Sequence, residues 1–571
     1  MVLLDFNCVV IDDRDSPLFV LEMDENAKIL NLKERIYEYK EYVFTENRVS
    51  KGDLKLYVPK YLLISPENDL AERSLESLSS AEVYLDFIRV SKIWSGNIEE
   101  KVHVVAVGRK HGPVKKSDLD GNIISRRFKA IRLGKDAMTP SDAAKPSSFP
   151  SEQEGHPVYN GRPDKHRGPS IALYNSAFAR LKDNLDKMHT FDLSPNELTT
   201  TFRFMKAAVK IYTNEKEREK SILGLLQELL GCQIGLKRLR TSKAEGDGVI
   251  QVGKAGWLAA IGYWELKNEL GSQGIADYQA VCTYRKHIVE DEYIKIRAST
   301  CCPCLIISMI GPYISIQGAI FIDAPVLQPF TDYVFLGGEP EYEDRLLKVA
   351  RIFHASRKAL ADLEHFYEKV DYSEELKPEA LLPKPTPINE NVSLPDIRFI
   401  DRLFKNDMAR PIYLANMARQ DVIVKFVRQY CEDAHKLLAR HGLAPRLHFC
   451  APVLGGYWMV VMEHIHGVDG HSFLKEHGFS QDVYDDVKRA IEVLHRKGYV
   501  FGDLRPQNIM VVTGEPHSRA SLVDFDWCGK DSEARYPSTL NTDLDWAAGV
   551  VPLGLMKKEH DNYLLLMLSE F

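Results

Sequence analysis

The stretch VFGDLRPQNIM, at residues 500–510, combines three side chains of the kinds that phosphoryl transfer requires. Asp503 supplies a carboxylate that could accept the proton of an attacking hydroxyl, and Arg505 supplies a cation for a phosphate. Asn508 supplies an amide oxygen of the kind that binds Mg²⁺. Because all three lie on one short loop between a helix-like and a strand-like segment, we expect the fold to present them together.

A further acidic position lies 16 residues after Asn508, where the segment SLVDFDW reads as a β-strand that ends in Asp524. A carboxylate at this point is suited to bind Mg²⁺. The order and spacing of these residues resemble the catalytic loop and metal-binding aspartate of the protein-kinase-like superfamily, whose usual pattern is His-Arg-Asp-x-x-x-x-Asn and then Asp-Phe-Gly. The sequence departs from this pattern at Phe501, Gly502 and Asp526, which replace the histidine, the arginine and the glycine.

This resemblance implies roles for residues upstream of the loop. Lys425, in the strand-like segment DVIVKFV, matches the lysine that contacts the phosphates of ATP. Glu432, in the next predicted helix, is the first candidate to pair with that lysine, and Asp433 is the second. Met462 and Glu463, in YWMVVMEHIHG, resemble the hinge that holds adenine. The kinase-like resemblance therefore implies ATP and Mg²⁺ as cofactors.

The same resemblance makes Asp503 the base and places Arg505 beside Lys425 on the phosphates. It also gives Asp545, in DLDWAAG, the structural role of bracing the catalytic loop. Two departures support an alternative: residues 398–420 contain no glycine that could form a Gly-rich loop, and the segment after SLVDFDW is short for a full substrate-binding lobe. The alternative is a non-enzymatic protein in which a pseudokinase, together with an inactive nuclease fold in the middle of the chain, serves as a binding surface for proteins or nucleic acid.

A second set of residues, in the middle of the chain, indicates a different chemistry. Glu265 and Lys267, in YWELKNELG, fall on one face of a predicted strand because side chains alternate along a strand. Asp247 lies at the start of another predicted strand. Two carboxylates and a lysine can hold Mg²⁺ and polarise the water that attacks a phosphodiester. These residues resemble the Asp…Glu-x-Lys core of restriction-endonuclease-fold nucleases; the alternative is a Glu–Lys pair on a solvated sheet face.

The predicted elements around this set follow the order of the same fold, which is helix, strand, strand and helix. The first helix carries Glu228, and the last offers Gln279 and Tyr284. A basic run before Asp247 could contact the phosphates of nucleic acid. Its cations are Lys237, Arg238 and Arg240. Nucleic acid is therefore a candidate partner of the middle region.

The composition limits the other possibilities. The chain has 571 residues, of which 44% are apolar and 27% charged, so we expect several domains. No apolar run reaches about eighteen residues, and aspartates near the N-terminus argue against a signal peptide, so we expect no membrane partner. The net charge of −7 gives no chain-wide attraction to nucleic acid. Because the nine cysteines lack paired zinc spacing, we expect the TCCPC cluster to lie in or beside a strand.

The predicted fold class is multi-domain α+β. It comprises a ubiquitin-like (β-grasp) domain at the N-terminus, an α/β restriction-endonuclease-like core and a compact two-lobe protein-kinase-like domain. Segments rich in Gly, Pro and Ser mark the predicted breaks. The predicted order is a ubiquitin-like domain at 1–110, a linker at 111–170, the endonuclease-fold-like domain at 171–340, a long helical connector at 341–375, a Pro-rich linker at 376–396, and the kinase-like domain at 397–571.

This combination resembles the Crinkler class of effector proteins, in the form found in fungi. The predicted ubiquitin-like domain carries the likeness through PLFVLEM, ILNLKERIYEYK, DLKLYV and VHVVAV, and the C-terminal part through GDLRPQN and DFDW. The resemblance implies a protein that is secreted without a recognisable signal peptide and delivered into the cytoplasm or nucleus of a host cell. It also implies host proteins as kinase substrates or binding partners.

Overall fold

The computed structural model describes most of the chain after residue 122. Within the first 122 residues it describes five strands and Ile36. Beyond them it describes residues 123–569, apart from 236–247, 255–256, 272–273, 339, 479 and 515–516. The chain divides into two compact units, Met1–Gly121 and Asn122–Phe571. None of the described helices is long and apolar enough to cross a membrane.

The first unit contains a mixed five-stranded sheet. Its strands are β1 (Leu3–Val10), β2 (Leu18–Asp24), β3 (Lys55–Val58), β4 (Glu82–Val83) and β5 (Val104–Val107). β1 pairs antiparallel with β2 and parallel with β5, and β3 pairs antiparallel with both β5 and β4. The order across the sheet is therefore β2-β1-β5-β3-β4.

The second unit begins with a region built on a six-stranded sheet. Its strands are β6 (Gly248–Lys254), β7 (Trp257–Lys267), β8 (Cys304–Ile310), β9 (Tyr313–Phe321), β10 (Pro325–Pro329) and β11 (Val334–Phe335). The main order is β10-β9-β8-β7-β6, with β11 on β9. Only β7 and β8 pair in parallel among these described strands, and both are almost entirely buried. A parallel pair needs a crossover connection, which a helix supplies here.

The helices of this region pack against the sheet and against one another. They are α1 (Ile123–Asp136), α2 (Pro140–Ala143), α3 (Phe149–Gly155), α4 (Ser176–Asp186), α5 (Pro195–Ala208), α6 (Glu215–Leu230), α7 (Ala276–Val289), α8 (Ile294–Ser299) and α9 (Tyr342–Glu368). The crossover helix α7 packs on β7 and β8. The long helix α9 packs on α4, α5 and α6, so it belongs to the core of this region and does not span a gap between domains.

The expected linker at 111–170 is wrong for its described part. Residues 123–155 form three helices, and Arg127 of α1 is fully buried, with its guanidinium donating to the carbonyl of Ile322 at 2.7 Å. The turn-forming residues that suggested a linker instead begin helices: Thr139 caps α2 and Pro140 occupies its first turn. Proline is tolerated there because the first helical N–H groups have no partner within the helix.

The C-terminal region contains a five-stranded antiparallel sheet. Its strands are β12 (Arg398–Arg402), β13 (Ile412–Met417), β14 (Gln420–Val427), β15 (Leu447–Val453) and β16 (Tyr457–Glu463). Their order is β12-β13-β14-β16-β15, and helix α10 (Glu432–Arg440) connects β14 to β15. Lys425 lies on β14, the central strand.

A mainly helical lobe follows the sheet. Its helices are α11 (Gly470–His477), α12 (Gln481–Arg496) and α13 (Lys558–Ser569), and its short strands are β17 (Val468–Asp469), β18 (Tyr499–Val500), β19 (Ile509–Val512), β20 (Arg519–Leu522) and β21 (Gly529–Lys530). β18 leads into the Asp503 loop, and β19 begins directly after Asn508. The antiparallel pair β19–β20 brings the end of β20, and hence Asp524, back to that loop.

The sheet of the C-terminal region shares one hydrophobic core with the middle region. Buried residues of β13, β14 and β16 belong to the same apolar cluster as the helices and strands before residue 340. The hydroxyl groups of Tyr174 and Tyr413 lie 2.9 Å apart across this contact. Arg126 joins Asp323 at 2.9 Å and Asp401 at 2.6 Å. The two regions are therefore packed into one body within the second unit.

The Pro-rich segment at 376–396 is part of this contact, so the expectation of a linker there is also wrong. Leu381 and Leu382 are buried in the shared core. The backbone N–H of Lys384 donates to the carbonyl of Leu173 at 2.7 Å. Because its apolar side chains and backbone groups are engaged on both sides, the segment fixes the two regions together.

Candidate active site

Asp503 occupies a buried position in the loop after β18. Its carboxylate accepts two hydrogen bonds from Arg505, one from Nε at 2.5 Å and one from Nη2 at 2.7 Å. Such a two-pronged contact fixes the carboxylate in orientation as well as in charge. Arg505 therefore holds Asp503, and its expected contact with phosphate stays a prediction.

Asn508 completes the loop from a 3₁₀ turn at Pro506–Asn508. Its amide nitrogen donates to the carbonyl oxygen and to Oδ2 of Asp503, both at 2.9 Å. An amide has separate donor and acceptor ends, so these contacts leave the Asn508 oxygen as the end that can bind a cation. The five-residue spacing between the two residues therefore produces a direct contact.

Lys425 reaches the same place from β14. Its ammonium nitrogen lies 2.7 Å from a carboxylate oxygen of Asp524 and 2.7 Å from one of Asp526. The expected pair with Glu432 is wrong for this structure, because Glu432 instead contacts Lys436 on its own helix at 2.5 Å. Asp433, the second candidate partner of Lys425, is exposed on the same helix. Lys425 is thus held by the segment Asp524–Asp526 and not by α10.

Burial and charge act together on these groups. Burial alone would lower the pKa of Lys425, but Asp524 and Asp526 outweigh it and raise that pKa. Burial acts to raise the pKa of Asp524, but Lys425 more than offsets it and lowers the pKa. Burial raises the pKa of Asp526 and, against the opposing hydrogen bond from Arg505, that of Asp503. A raised pKa makes the Asp503 carboxylate a stronger base, as proton abstraction from a hydroxyl requires.

The donor set suits Mg²⁺ together with a nucleotide. Asp524 and Asn508 offer a carboxylate and an amide oxygen, which are ligands that Mg²⁺ prefers. The ammonium group of Lys425 between two carboxylates shows that the site accepts positive charge. Among the described residues, no three His, Cys, Asp or Glu side chains group closely enough to hold a metal alone. Water and nucleotide phosphates would supply the remaining ligands, as they commonly do for Mg²⁺.

The predicted hinge residues lie at the end of β16. Met462 is buried and pairs with Ile423 of β14, two residues from Lys425 along that strand. Glu463 is exposed, and one of its carboxylate oxygens accepts from the backbone N–H of Arg446 at 3.1 Å. The structure thus places these two residues in the sheet that carries Lys425, and their contact with adenine stays a prediction.

The residue that braces the Asp503 loop is Asp561 of α13, which the sequence patterns did not indicate. Its carboxylate accepts from the backbone N–H groups of Phe501 and Gly502, both at 2.8 Å, and from the His495 ring at 3.0 Å. Asp545, expected in this role, is exposed. The available signal was an acidic residue within an otherwise apolar helix face, since a fully buried aspartate needs partners.

The backbone of the same loop explains why residue 502 is a glycine. Its φ of +79° lies in the left-handed region, and a Cβ at this position would come 1.9 Å from the terminal methyl carbon of Met556. The arginine of the usual kinase motif would be strained at this dihedral angle and would displace the Met556 side chain. Glycine is the residue that tolerates both the dihedral angle and the close approach.

A ring stack joins the loop to α10. Phe525, between the two aspartates, stacks on His435 of α10 with ring centroids 4.6 Å apart, and it contacts Phe501 edge-on at 5.5 Å. The Nε2 of His435 lies 2.8 Å from the carbonyl oxygen of Pro445, and its Nδ1 lies 2.7 Å from the hydroxyl of Tyr430. Burial lowers the pKa of His435 to about 4, so the ring is neutral near pH 7. The stack fixes the backbone on either side of Phe525.

In the middle region, Glu265 and Lys267 lie on one buried face of β7, with Lys267 Nζ 2.7 Å from Glu265 Oε1. The alternative of a solvated sheet face is therefore wrong. Ser308 of β8 is the pairing partner of Glu265 and is also buried. Asp247 and the basic residues Lys237, Arg238 and Arg240 lie outside the described residues.

The other residues predicted for the endonuclease-like set, Glu228, Gln279 and Tyr284, lie in different surroundings. Glu228 of α6 accepts a hydrogen bond from Thr200 at 2.7 Å, and Gln279 is buried on α7. The hydroxyl of Tyr284 donates to the carbonyl of Cys302 at 2.8 Å in the core. Cys301, Cys302 and Cys304 are buried at and before the start of β8, as the sequence predicts.

Comparison with known proteins matches residues 4–107 to the Crinkler effector protein N-terminal domain. A probable serine/threonine-protein kinase of Dictyostelium discoideum is 35% identical over 89 residues, or 14% of this chain and 17% of that protein. The solved structure of the kinase PK-1 of Cydia pomonella granulovirus is 16% identical to this chain, with a TM-score of 0.24. The matched region makes up 28% of this chain and 62% of the PK-1 chain. The chain thus spans about a sixth of the length of the curated relative. Residues 4–107 therefore match the Crinkler effector protein N-terminal domain, and 89 residues of the chain are similar to a probable serine/threonine-protein kinase.

Proposed function

We propose that this protein is a translocated effector whose C-terminal region transfers phosphate from ATP to serine or threonine residues of host proteins. The observation that carries the proposal is the meeting of Asp503, Asn508, Asp524 and Lys425 in one place from two strands and a loop. These groups come from separate parts of the chain, and each has the chemical type that phosphoryl transfer needs.

Each residue has a defined task in this proposal. Asp503 accepts the proton of the attacking hydroxyl, and Arg505 and Asn508 keep its carboxylate in position. Lys425 contacts the nucleotide phosphates. Asn508 and Asp524 would hold Mg²⁺, which when bound neutralises charge on the phosphates. Because catalysis of this kind rests on positioning and electrostatics, the fixed loop suits the reaction.

The proposal for the N-terminal unit rests on the Crinkler match at 4–107. The strand order β2-β1-β5-β3-β4 supports a ubiquitin-like fold for it. By this family relationship, we propose that the unit serves delivery into a host cell, where the protein acts in the cytoplasm or nucleus. Appearance of a tagged full chain inside host cells, and its loss on deletion of residues 1–110, would test this part.

The phosphotransfer proposal is tested with the full chain, Mg²⁺ and radiolabelled ATP, with autophosphorylation and a generic acceptor protein as readouts. Asp503→Asn keeps the volume of the side chain and removes the base, so label transfer should fall by about 100-fold or more. Asp545→Asn, at an exposed position, is the matched control and should transfer label normally. No transfer by the wild-type chain, with MgATP still bound, would favour the pseudokinase alternative.

A second candidate function is a metal-dependent nuclease in the middle region, which the buried Glu265–Lys267 pair favours. Structural ion pairs of this kind also occur, so the test must separate the two roles. The full chain is incubated with Mg²⁺ and single- and double-stranded DNA or RNA, and wild type is compared with Glu265→Gln and Lys267→Ala. Cleavage that both variants lose while their circular dichroism spectra show them folded supports a catalytic role for the pair; equal behaviour of all three leaves the pair structural.

A further inference from the structure

Asp526 stands where the usual kinase triplet has glycine, and the structure gives it a specific contact. Its carboxylate lies 2.7 Å from the ammonium nitrogen of Lys425, as does that of Asp524. The ring of Phe525 between them is buried in the stack with His435. The backbone turns at Asp524, whose φ is +72°, and the carboxylates on either side of Phe525 both contact the lysine.

Helix α10 does not supply the carboxylate that normally orients this lysine. Glu432, the first residue of that helix, is engaged with Lys436 one turn later. Ala434 and Leu438 of the helix pack in the core of the helical lobe, and the helix meets the sheet at its edge strand β15. The placement of α10 therefore leaves Lys425 to the Asp524–Asp526 segment.

Charge balance then distinguishes the two aspartates. When both carboxylates are ionised, the single positive charge of the lysine ammonium faces two negative charges. In the proposed reaction Asp524 binds Mg²⁺, which leaves Asp526 as the carboxylate in contact with Lys425. One carboxylate on one lysine restores a neutral pair beside the nucleotide phosphates.

We propose that Asp526 is the positioning residue of Lys425, holding its ammonium group for the nucleotide phosphates in place of a carboxylate on α10. This inference rests on the proposed kinase function. It makes the lysine's position a property of the metal-binding segment itself. The orientation of Lys425 then does not depend on any movement of α10.

The test measures binding of MgATP to the full chain by calorimetry, together with the rate of label transfer. Asp526→Asn keeps the shape and removes the charge, and we expect about tenfold weaker binding, the size of one charge-assisted contact. Asp526→Glu keeps the charge and should recover much of the affinity. Glu432→Gln should have a smaller effect than Asp526→Asn. Exposed Glu533, changed to Gln, is the control.

A double-mutant cycle separates positioning from general structure. If Asp526 acts through Lys425, then Asp526→Asn in the Lys425→Ala background should weaken MgATP binding no further. An equal loss in both backgrounds would overturn the inference, as would tighter binding by Asp526→Asn alone, because Asp526 would then hold the lysine away from the phosphates. Wild-type protein that binds no MgATP would remove the proposed function and this inference with it. Wild-type binding with an unaffected Asp526→Asn variant would remove the inference alone.

Discussion

Replacing Asp561 by alanine should release the Asp503 loop from helix α13. The Asp561 side chain is fully buried, and it accepts from the N–H groups of Phe501 and Gly502 at 2.8 Å each. A hydrogen bond to a charged group contributes about 1.5–3 kcal/mol. Loss of both should therefore lower the free energy of local unfolding of the loop by about 3–6 kcal/mol. Asp561→Asn keeps one acceptor oxygen and should cost about half of that.

Amide hydrogen exchange reports this local free energy directly. In the alanine variant, peptides covering residues 497–504 should exchange about 100-fold faster or more, since about 1.4 kcal/mol corresponds to a factor of ten. Asp545→Ala is the matched control, because that residue is exposed and a surface change of this kind stays within about 0.5 kcal/mol. Unchanged exchange in Asp561→Ala, or equal acceleration in Asp545→Ala, would refute the assignment of the brace to α13.

Three further predictions concern other groups. Because His435 is buried neutral with its pKa lowered to about 4, stability should be full above about pH 6.5 and fall by about 3 kcal/mol as pH drops to about 4; urea unfolding of His435→Phe should lose this dependence. Asp524→Asn should reduce Mg²⁺-dependent label transfer by about 100-fold while leaving the circular dichroism spectrum unchanged; equal transfer would place the metal elsewhere. Lys267→Ala should destabilise the protein by about 3–5 kcal/mol, seen in thermal unfolding, because its ammonium group neutralises buried Glu265; an unchanged midpoint would contradict the pair.

The parts of the site that are local in sequence could be predicted from it. Asp503 and Asn508 are five residues apart on one loop, so a short turn brings them together in any fold that forms it. Lys425 and Asp524 could be paired only through a family pattern, because they are separated by almost a hundred residues. Their contact in the structure follows from the placement of β14 beside the end of β20 and not from local spacing.

The sequence predicted the wrong partner for Lys425 and the wrong brace for the Asp503 loop, because tertiary packing determines both. Glu432 is close to Lys425 in sequence, but the apolar face of α10 packs in the helical lobe, and Lys436 is nearer on the same helix. Asp545 sits in a short motif that suggested a brace, while Asp561 performs that task from a helix near the end of the described chain. A pattern of neighbouring residues carries no information on which distant helix packs beneath a loop.

The two expected linkers show that amino-acid composition alone does not identify a flexible linker. Gly, Pro and Ser favour turns, but they also begin helices and cross the surface of a core. Around Pro140 the composition indicated a break, and the chain forms the first turn of α2. Around Leu381 the prolines alternate with apolar side chains that are buried between the two regions. What distinguishes a flexible linker from such a segment is the area that its apolar side chains can cover, which depends on the partner surface.

The Pro-rich segment at 376–396 also determines how the protein can be divided. Cutting there would uncover the apolar side of the β12–β16 sheet, including Tyr413 and Phe426, which the middle region covers in the intact chain. A fragment that begins near residue 390 would therefore lack part of its hydrophobic core. If such a fragment were inactive, the cause would be the lost packing and not the absence of a site residue. By the same reasoning, a destabilising change deep in the middle region should abolish the activity proposed for the C-terminal site, although it alters no residue of that site.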